Sequence, residues 1–476
     1  MISISENDYY KLVNEKKAFP VILETNGDEL TPISIFYNLE GENKFLLESV
    51  ENSRQYGRYS FIGMDPHMSI KSSGSNIEVT RGNTIEKFDG DVLQYVKKYT
   101  DINYDCAGIS FPFTGGAVGY TGYDIIRQYE KLPDNNVKTI DIPEAYLMFY
   151  KIFICLDHFK HSLFIVYNVF PEDNMDYNSV IEKVEHISRM CKSNKASHNL
   201  RQIHTEVEIE SNFTADEFCS IVAKAKEYIV KGDIFQVVLS QRLTAKTNSN
   251  PFDVYRKLRN TNPSPYLFYI DYNDFQVVGS SPESLVRVYG DKVMTNPIAG
   301  TRPRGRDSIE DLKLKEELLS DEKERAEHLM LVDLGRNDIG KISEFGSVKV
   351  ERFMEVDFYS HVMHIVSTVS GTLRKEFSCF EALKSCLPAG TVSGAPKVRA
   401  MEIIDELENV KRGLYAGAVG YFSYNGNMDT CIAIRTVIFK EGTAYLQAGA
   451  GIVYDSDPVS EYNETLSKLK ALKEVI

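Results

Sequence analysis

Along the first 170 positions, apolar residues fall in short runs bounded by polar clusters: KFLLESVE, RYSFIGM, YLMFYKIFICLD and HSLFIVYNVF. Runs of this length, rich in β-branched and aromatic residues, predict strands, and a polar turn at His158 to His161 separates the last two. Between Cys191 and Ser211 the pattern lapses, because KSNKASHNLRQIHTEVEIES carries no apolar periodicity. That stretch predicts a linker between a sheet-rich N-terminal domain, 1–200, and a C-terminal domain, 201–476. Downstream of it the period changes to that of a helix. Thr214 and Glu217 form a T-x-x-E capping box ahead of apolar positions Phe218, Ile221, Val222, Ala225 and Ile229, and Gly232 closes the helix. DIFQVVLSQRL, FQVVGSSPESLVRVY, DKVMTNPIAG, AGAVGYFSY, DTCIAIRTVIF and TAYLQAGAGIVY then read as strands, interrupted by helices near 309–334 and 378–386 and another after Pro396. Strands in succession, with helices grouped between them, predict an α+β fold with large antiparallel β-sheets, sandwich-like, and helices packed outside.

With 476 residues, 43% hydrophobic and 26% charged, the chain is globular in composition and long enough for two or three domains, or for one large core with insertions. Its formal charge of −14 gives no broad basic surface, which excludes nucleic acid and an acidic membrane as partners and favours small-molecule chemistry. The start, MISISENDYYKLVNEKK, lacks the apolar core of a secretion signal, and no stretch approaches the roughly 18 apolar residues of a membrane span. A soluble, cytoplasmic protein is expected. Seven scattered cysteines without a C-x-x-C pair predict reduced core residues rather than a disulfide framework or a zinc cage.

Candidate chemistry begins at EKERAEHLMLVDLGRND, 322–338. Glu324 and Glu327 share a helix face, where like charges cost a few tenths of a kcal/mol, and a cation is the obvious compensation. A second pair, Glu461 and Glu464, follows in a helix that Asp457 caps and Pro458 opens. Each E-x-x-E alone is an ordinary solvated face, but two pairs on separate helices could converge on one hard cation. Oxygen-only ligands point to magnesium (Mg2+) rather than zinc. Three loops add candidate anion sites: NPIAGTRPRGR, a tight basic turn with Gly300 and Thr301; PAGTVSGAPK, with Thr391, Ser393, Gly394 and Lys397; and QAGAGIVYDSDP, where Gly449, Ala450 and Gly451 would let a carboxylate approach the backbone. No Walker motif or GxGxxG fingerprint implies a nucleotide.

Taken in this order, PESL, PIAGTRPRG, DEKERAEHLMLVDLGRND, VMHIVSTVSG, PAGTVSGAPKVRAMEIID, AGAVGYFS, IAIRT, QAGAGIVYDSDP and the final E-x-x-E-T resemble the chorismate-utilising enzymes, and among them the large, chorismate-binding subunits of anthranilate synthases. LLESVE and RYSFIG extend the likeness into the N-terminal half.

The resemblance implies that magnesium, held by Glu324, Glu327, Glu461 and Glu464, anchors the ring carboxylate of chorismate. It implies Glu283 as the acid for the leaving C4 hydroxyl, with His364 and Thr391 at the reacting ring. Gly300 and Thr301 join the substrate pocket. Tyr415, Arg435 and the Gly449, Ala450 and Gly451 backbone would bind the enolpyruvyl carboxylate, and Lys468 would add a positive contact. His328 and His361 stay unassigned. Ser49, with Pro265, Tyr266 and Leu267, resembles a tryptophan site for feedback inhibition, Leu267 standing where methionine is common in the family. The position equivalent to the lysine of aminodeoxychorismate synthases is Ala299, which favours ammonia attack at C2. No cysteine stands in the G-x-C-x-G setting of a glutamine amidotransferase, so ammonia is expected from a separate subunit in a hetero-oligomer. An aminodeoxychorismate synthase and a non-catalytic tryptophan-sensing protein are the alternative readings.

Overall fold

Strand Gly116–Thr121 is buried at every position, although alternate residues point to opposite faces. Ala117 packs outward against Ile125 and Leu147, while Val118 and Tyr120 pack inward with Phe153 and Ile270. Both faces of the sheet are therefore covered, which is why the apolar runs are nearly continuous. A computed structural model describes residues 1–49, 57–106, 108–193, 208–359 and 362–476, and among them two antiparallel sheets of 12 strands each stack face to face. Aromatic and aliphatic side chains from both sheets fill the space between them. Helices Pro32–Asn38, Tyr177–Cys191, Pro251–Thr261 and Pro458–Lys473 cover the outer face of one sheet. Helices Val92–Thr100, Glu322–Gly340 and Cys379–Cys386 cover the other. The outermost strand, Thr84–Asp89, is solvent-exposed and charged, which blunts edge pairing.

The two halves of the chain are interleaved. In one sheet, strand Phe45–Glu48 pairs with Tyr266–Asp271, Leu47 opposite Phe268. In the other, Gly116–Thr121 pairs with Ala418–Ser423, Gly119 opposite Gly420. Residues 194–207, which hold most of the predicted linker and the boundary at 200/201, lie outside the described residues, as does His361.

Several local expectations change. YLMFYKIFICLD is two strands, Ala145–Tyr150 and Ile152–Asp157, which belong to different sheets. At Lys151 the chain steps from one sheet to the other, and an apolar run carries no mark of that step. The helix expected over 309–334 is two, Ser308–Ser320 and Glu322–Gly340, with Asp321 ending the first and capping the second. Gly300 and Thr301 lie in strand Ile298–Pro303, at a bulge opposite Val362–Thr372, rather than in a tight turn. The capping box of Thr214 with Glu217 and the Asp457 cap form as their motifs predict. The seven cysteines are free, five of them buried, and no helix of the described residues is long and apolar enough to cross a membrane.

Candidate active site

Two changes of sheet build the centre of the site. Strand Phe275–Ser281 lies in one sheet and Ser284–Tyr289 in the other, so Pro282 and Glu283 occupy the crossing. Strand Met428–Ile432 crosses back to Thr436–Lys440, with Arg435 held at φ 52° in that crossing. The two crossings are stitched together. Ile432 N donates to Glu283 O at 3.0 Å, Ser280 N to Arg435 O at 3.1 Å, and Ser281 Oγ to Ile432 O at 2.7 Å. An acid and an arginine 152 positions apart thus face one cavity, of about 580 Å³, a size suited to a small molecule.

That cavity is lined by Glu283, Gly300, Thr301, Glu324, Glu327, Thr391, Tyr415, Arg435, Gly449, Gly451, Glu461, Glu464 and Lys468. Two predicted residues stand outside its lining. Successive side chains of a strand point to opposite faces, so Ala450 turns its methyl into the cluster with Phe218 and Ile403 while its glycine neighbours face the cavity. Only the backbone of Ala450 remains for substrate. His364 sits behind the bulge, its Nδ1 3.0 Å from Thr301 Oγ1 and 3.1 Å from the Gly300 carbonyl. A carbonyl only accepts, so Nδ1 carries the proton and Nε2 is the basic nitrogen. Burial lowers the His364 pKa, and the ring is neutral near pH 7.

Glu283 is 8% exposed. Burial pushes its carboxyl up to about 8, against the opposing pull of Thr391 and of Lys468. The Thr391 hydroxyl nevertheless falls short of a formed hydrogen bond, and its oxygen is buried without a partner among the described residues. Burial also raises the Tyr415 phenol to about 12 and lowers Arg435. Gly449 is required by close approach. A Cβ there would stand 2.8 Å from Leu239 O and 3.0 Å from the Tyr415 hydroxyl.

The glutamates come from two helices. Glu324 and Glu327 belong to Glu322–Gly340, Glu461 and Glu464 to Pro458–Lys473. Burial, then Glu324, raises the Glu327 pKa; burial and Glu464 raise that of Glu461. The four are not drawn into a formed cage, since among the described residues no three His, Cys, Asp or Glu stand close enough to hold a metal. Cationic side chains keep two of them apart. Glu324 pairs with Arg302 at 3.0 Å, and Glu464 with Lys468 at 2.6 Å, whose Nζ also donates to Gly449 O. The donor set nonetheless suits a hard cation, because it is all oxygen and leaves Glu327 without an ion pair among the described residues.

His328 points away from the cavity. It is fully buried, its Nε2 lies 2.6 Å from Ser367 Oγ, and burial lowers its pKa to about 4. Among the polar residues, Gln236, Lys323, Gln447 and Ser467 of the lining and the pairing residue Arg302 escaped the sequence reading. Gln236 presents an Oε1 that is buried without a hydrogen-bond partner among the described residues. Lys323 lines the cavity and Arg302 pairs with Glu324. Arg302 stood inside a quoted motif, whereas nothing in the strand-like run around Gln236 distinguished it.

A second cavity, of about 450 Å³, opens between the sheets and shares no lining residue with the first. Ser49, Pro265, Tyr266 and Leu267 all line it, with Glu48, Arg287 and Asp429. Tyr266 donates its hydroxyl proton to Asp429 at 2.9 Å, and Arg287 pairs with Asp429 at 3.0 Å.

Residues 42–474 match a family described as chorismate binding enzyme. The chain is 47% identical to anthranilate synthase component 1 of Acetivibrio thermocellus over 98% of this chain and 96% of that one. It is 44% identical to the same component of Aquifex aeolicus, over 100% and 98%. The crystal structure of anthranilate synthase component I from Streptococcus pneumoniae superposes with a TM-score of 0.81 at 40% identity, covering 94% of this chain and 98% of that chain. The menaquinone-specific isochorismate synthase of Escherichia coli shares the fold, with a TM-score of 0.72 at 18% identity over 98% of each chain.

Proposed function

The chain belongs to the chorismate binding enzyme family, and from that premise we propose that it catalyses the anthranilate synthase reaction, a lyase step that makes anthranilate and pyruvate from chorismate and ammonia and commits chorismate to tryptophan biosynthesis. The observation that carries this reading is Glu283, a carboxyl kept neutral by burial in a cavity that also holds an arginine and four further acids. Ammonia adds at ring C2 while the C4 hydroxyl leaves, and the enolpyruvyl group then departs as pyruvate. Hydroxide leaves poorly, so C4–O cleavage needs a proton, which Glu283 supplies. The unpartnered Thr391 hydroxyl beside it is free to hold the leaving oxygen.

Arg435 and Tyr415, with the backbone of Gly449 to Gly451, receive the enolpyruvyl carboxylate, for which a planar guanidinium is the matching donor. Gln236 offers an unused amide oxygen to an N–H of the incoming ammonia, which directs its lone pair elsewhere. His364 holds the Gly300–Thr301 edge of the cavity through Nδ1. Magnesium, when bound by Glu324, Glu327, Glu461 and Glu464, supplies the positive charge that anchors the ring carboxylate. A glutamine amidotransferase subunit delivers the ammonia in a cytoplasmic hetero-oligomer, and high ammonium substitutes for it. Tryptophan occupies the second cavity, whose wall takes Leu47 to Ser49 from the N-terminal half and Pro265 to Phe268 from the C-terminal half.

Purified chain mixed with chorismate, magnesium and ammonium salts is expected to give anthranilate fluorescence and stoichiometric pyruvate. A nonfluorescent amino product, or no turnover, overturns the proposal.

A further inference from the structure

One layer behind the cavity wall lies an ion pair that touches no substrate position. Arg412 is 2% exposed and Glu408 4%. Arg412 donates from Nε to Glu408 Oε2 at 3.0 Å and from Nη2 to Oε1 at 2.6 Å. The same guanidinium donates from Nη1 to the Val392 carbonyl at 2.6 Å and from Nη2 to the Val238 carbonyl at 2.7 Å. Its centre lies 5.5 Å from the Tyr415 ring and 4.9 Å from that of Tyr123. Glu408 continues the chain of contacts, since its Oε1 accepts from both Ser240 N and Ser240 Oγ at 2.8 Å. Ser240 Oγ in turn accepts from Gln447 Nε2 at 2.8 Å.

Four of the groups reached in this way, Val238, Val392, Tyr415 and Gln447, line the catalytic cavity. They sit on four different segments: strand Gln236–Lys246, the turn Gly390–Val392, the bend before Ala416 and strand Thr443–Ile452. We propose that Arg412, fixed by Glu408, is a positioning residue for substrate binding: a single buried guanidinium locks these segments into one rigid carboxylate-binding wall. The inference rests on the chorismate reading of Tyr415 and Thr391.

Stability alone does not explain the pair. Two charges taken out of water recover little more than their desolvation cost, and an apolar replacement of equal volume usually serves a core as well. What apolar side chains do not provide is simultaneous donation to two wall carbonyls and a carboxylate, with a flat face beneath Tyr415. Lysine is no substitute, since an ammonium on a flexible stem does not span all these acceptors in one geometry.

The test is Arg412→Lys in the full chain, assayed beside parent and an Ile165→Val control, Ile165 being a core residue on strand Ser162–Val169, seven places along the sheet from strand Thr443–Ile452. The variant is expected to keep the parent circular dichroism spectrum and to stay folded at the assay temperature, with a midpoint below that of parent because lysine leaves buried acceptors unpaired. Its KM for chorismate should rise about tenfold or more, with kcat changed much less, in keeping with the ~10²-fold cost of a 1 Å misplacement. Glu408→Gln should raise KM in the same direction. A KM equal to that of parent in either folded variant, or a rise shared by the control, overturns the inference alone. Loss of folding in both variants assigns the pair to the core and overturns it too. A parent inactive on chorismate overturns the functional reading and the inference with it.

Discussion

Arg302 donates from Nη1 to Oε1 of Glu324 at 3.0 Å, while its Nη2 reaches Asp321 at 2.9 Å. A carboxylate proposed for a cation thus already holds a guanidinium, with which magnesium would have to compete. Partly exposed pairs of this kind contribute up to ~1 kcal/mol. Arg302→Met is expected to lower the half-saturating magnesium concentration about two- to fivefold in a calorimetric titration. An unchanged or higher value would show that the guanidinium does not compete.

Glu327→Gln removes one of the crowded charges. Without magnesium, the unfolding temperature should hold or rise, because burial and Glu324 already disfavour its ionised form. The upward shift that magnesium produces in the parent should shrink, and turnover should fall by about 10²-fold or more, as for loss of a metal-orienting contact. Full activity in this variant would remove Glu327 from the metal set.

Glu283 has to be protonated to act as an acid. At fixed free ammonia, kcat/KM for chorismate should be flat below and fall tenfold per pH unit above about 8, where its carboxyl ionises. Glu283→Gln should lose about 10²- to 10⁴-fold in rate, together with that limb. The stability sign follows from the same shift. The folded pKa lies above the ordinary value of 4.5, so the folded state of the parent loses stability as pH rises from there to about 8. The variant should therefore gain on the parent over that window in denaturant titrations at successive pH values, and a constant difference would contradict the burial of a neutral acid.

Tryptophan in the second cavity should inhibit without occupying the chorismate site, since the two cavities share no lining residue. Ser49→Ala is expected to raise the half-inhibitory tryptophan concentration about tenfold or more, the loss of one hydrogen bond to a charged group. Identical inhibition curves for variant and parent would place the inhibitor elsewhere.

Local signals were legible where their physics is local. A capping box such as Thr214 with Glu217 satisfies helix donors within one turn, and the same holds for Asp457 ahead of Pro458. Glu324 and Glu327, or Glu461 and Glu464, share a face by helical spacing alone. Strand-like runs in succession, with helices grouped between them, likewise pointed to large antiparallel sheets with helices outside.

The sequence by itself therefore determined the elements, their caps and the inventory of acids and small residues. Only the tertiary structure decided that the chain changes sheets at Lys151, Glu283 and Arg435, that Ala450 turns its methyl away from the cavity, and that Arg302 occupies Glu324. It also decided that Gln236 keeps an oxygen without a partner among the described residues and that Arg412 donates at once to Glu408 and to the carbonyls of Val238 and Val392. The physical reason is range. Caps and helix faces depend on neighbours within a few residues, whereas the position of a charge in a cavity depends on segments that meet only once both sheets have formed.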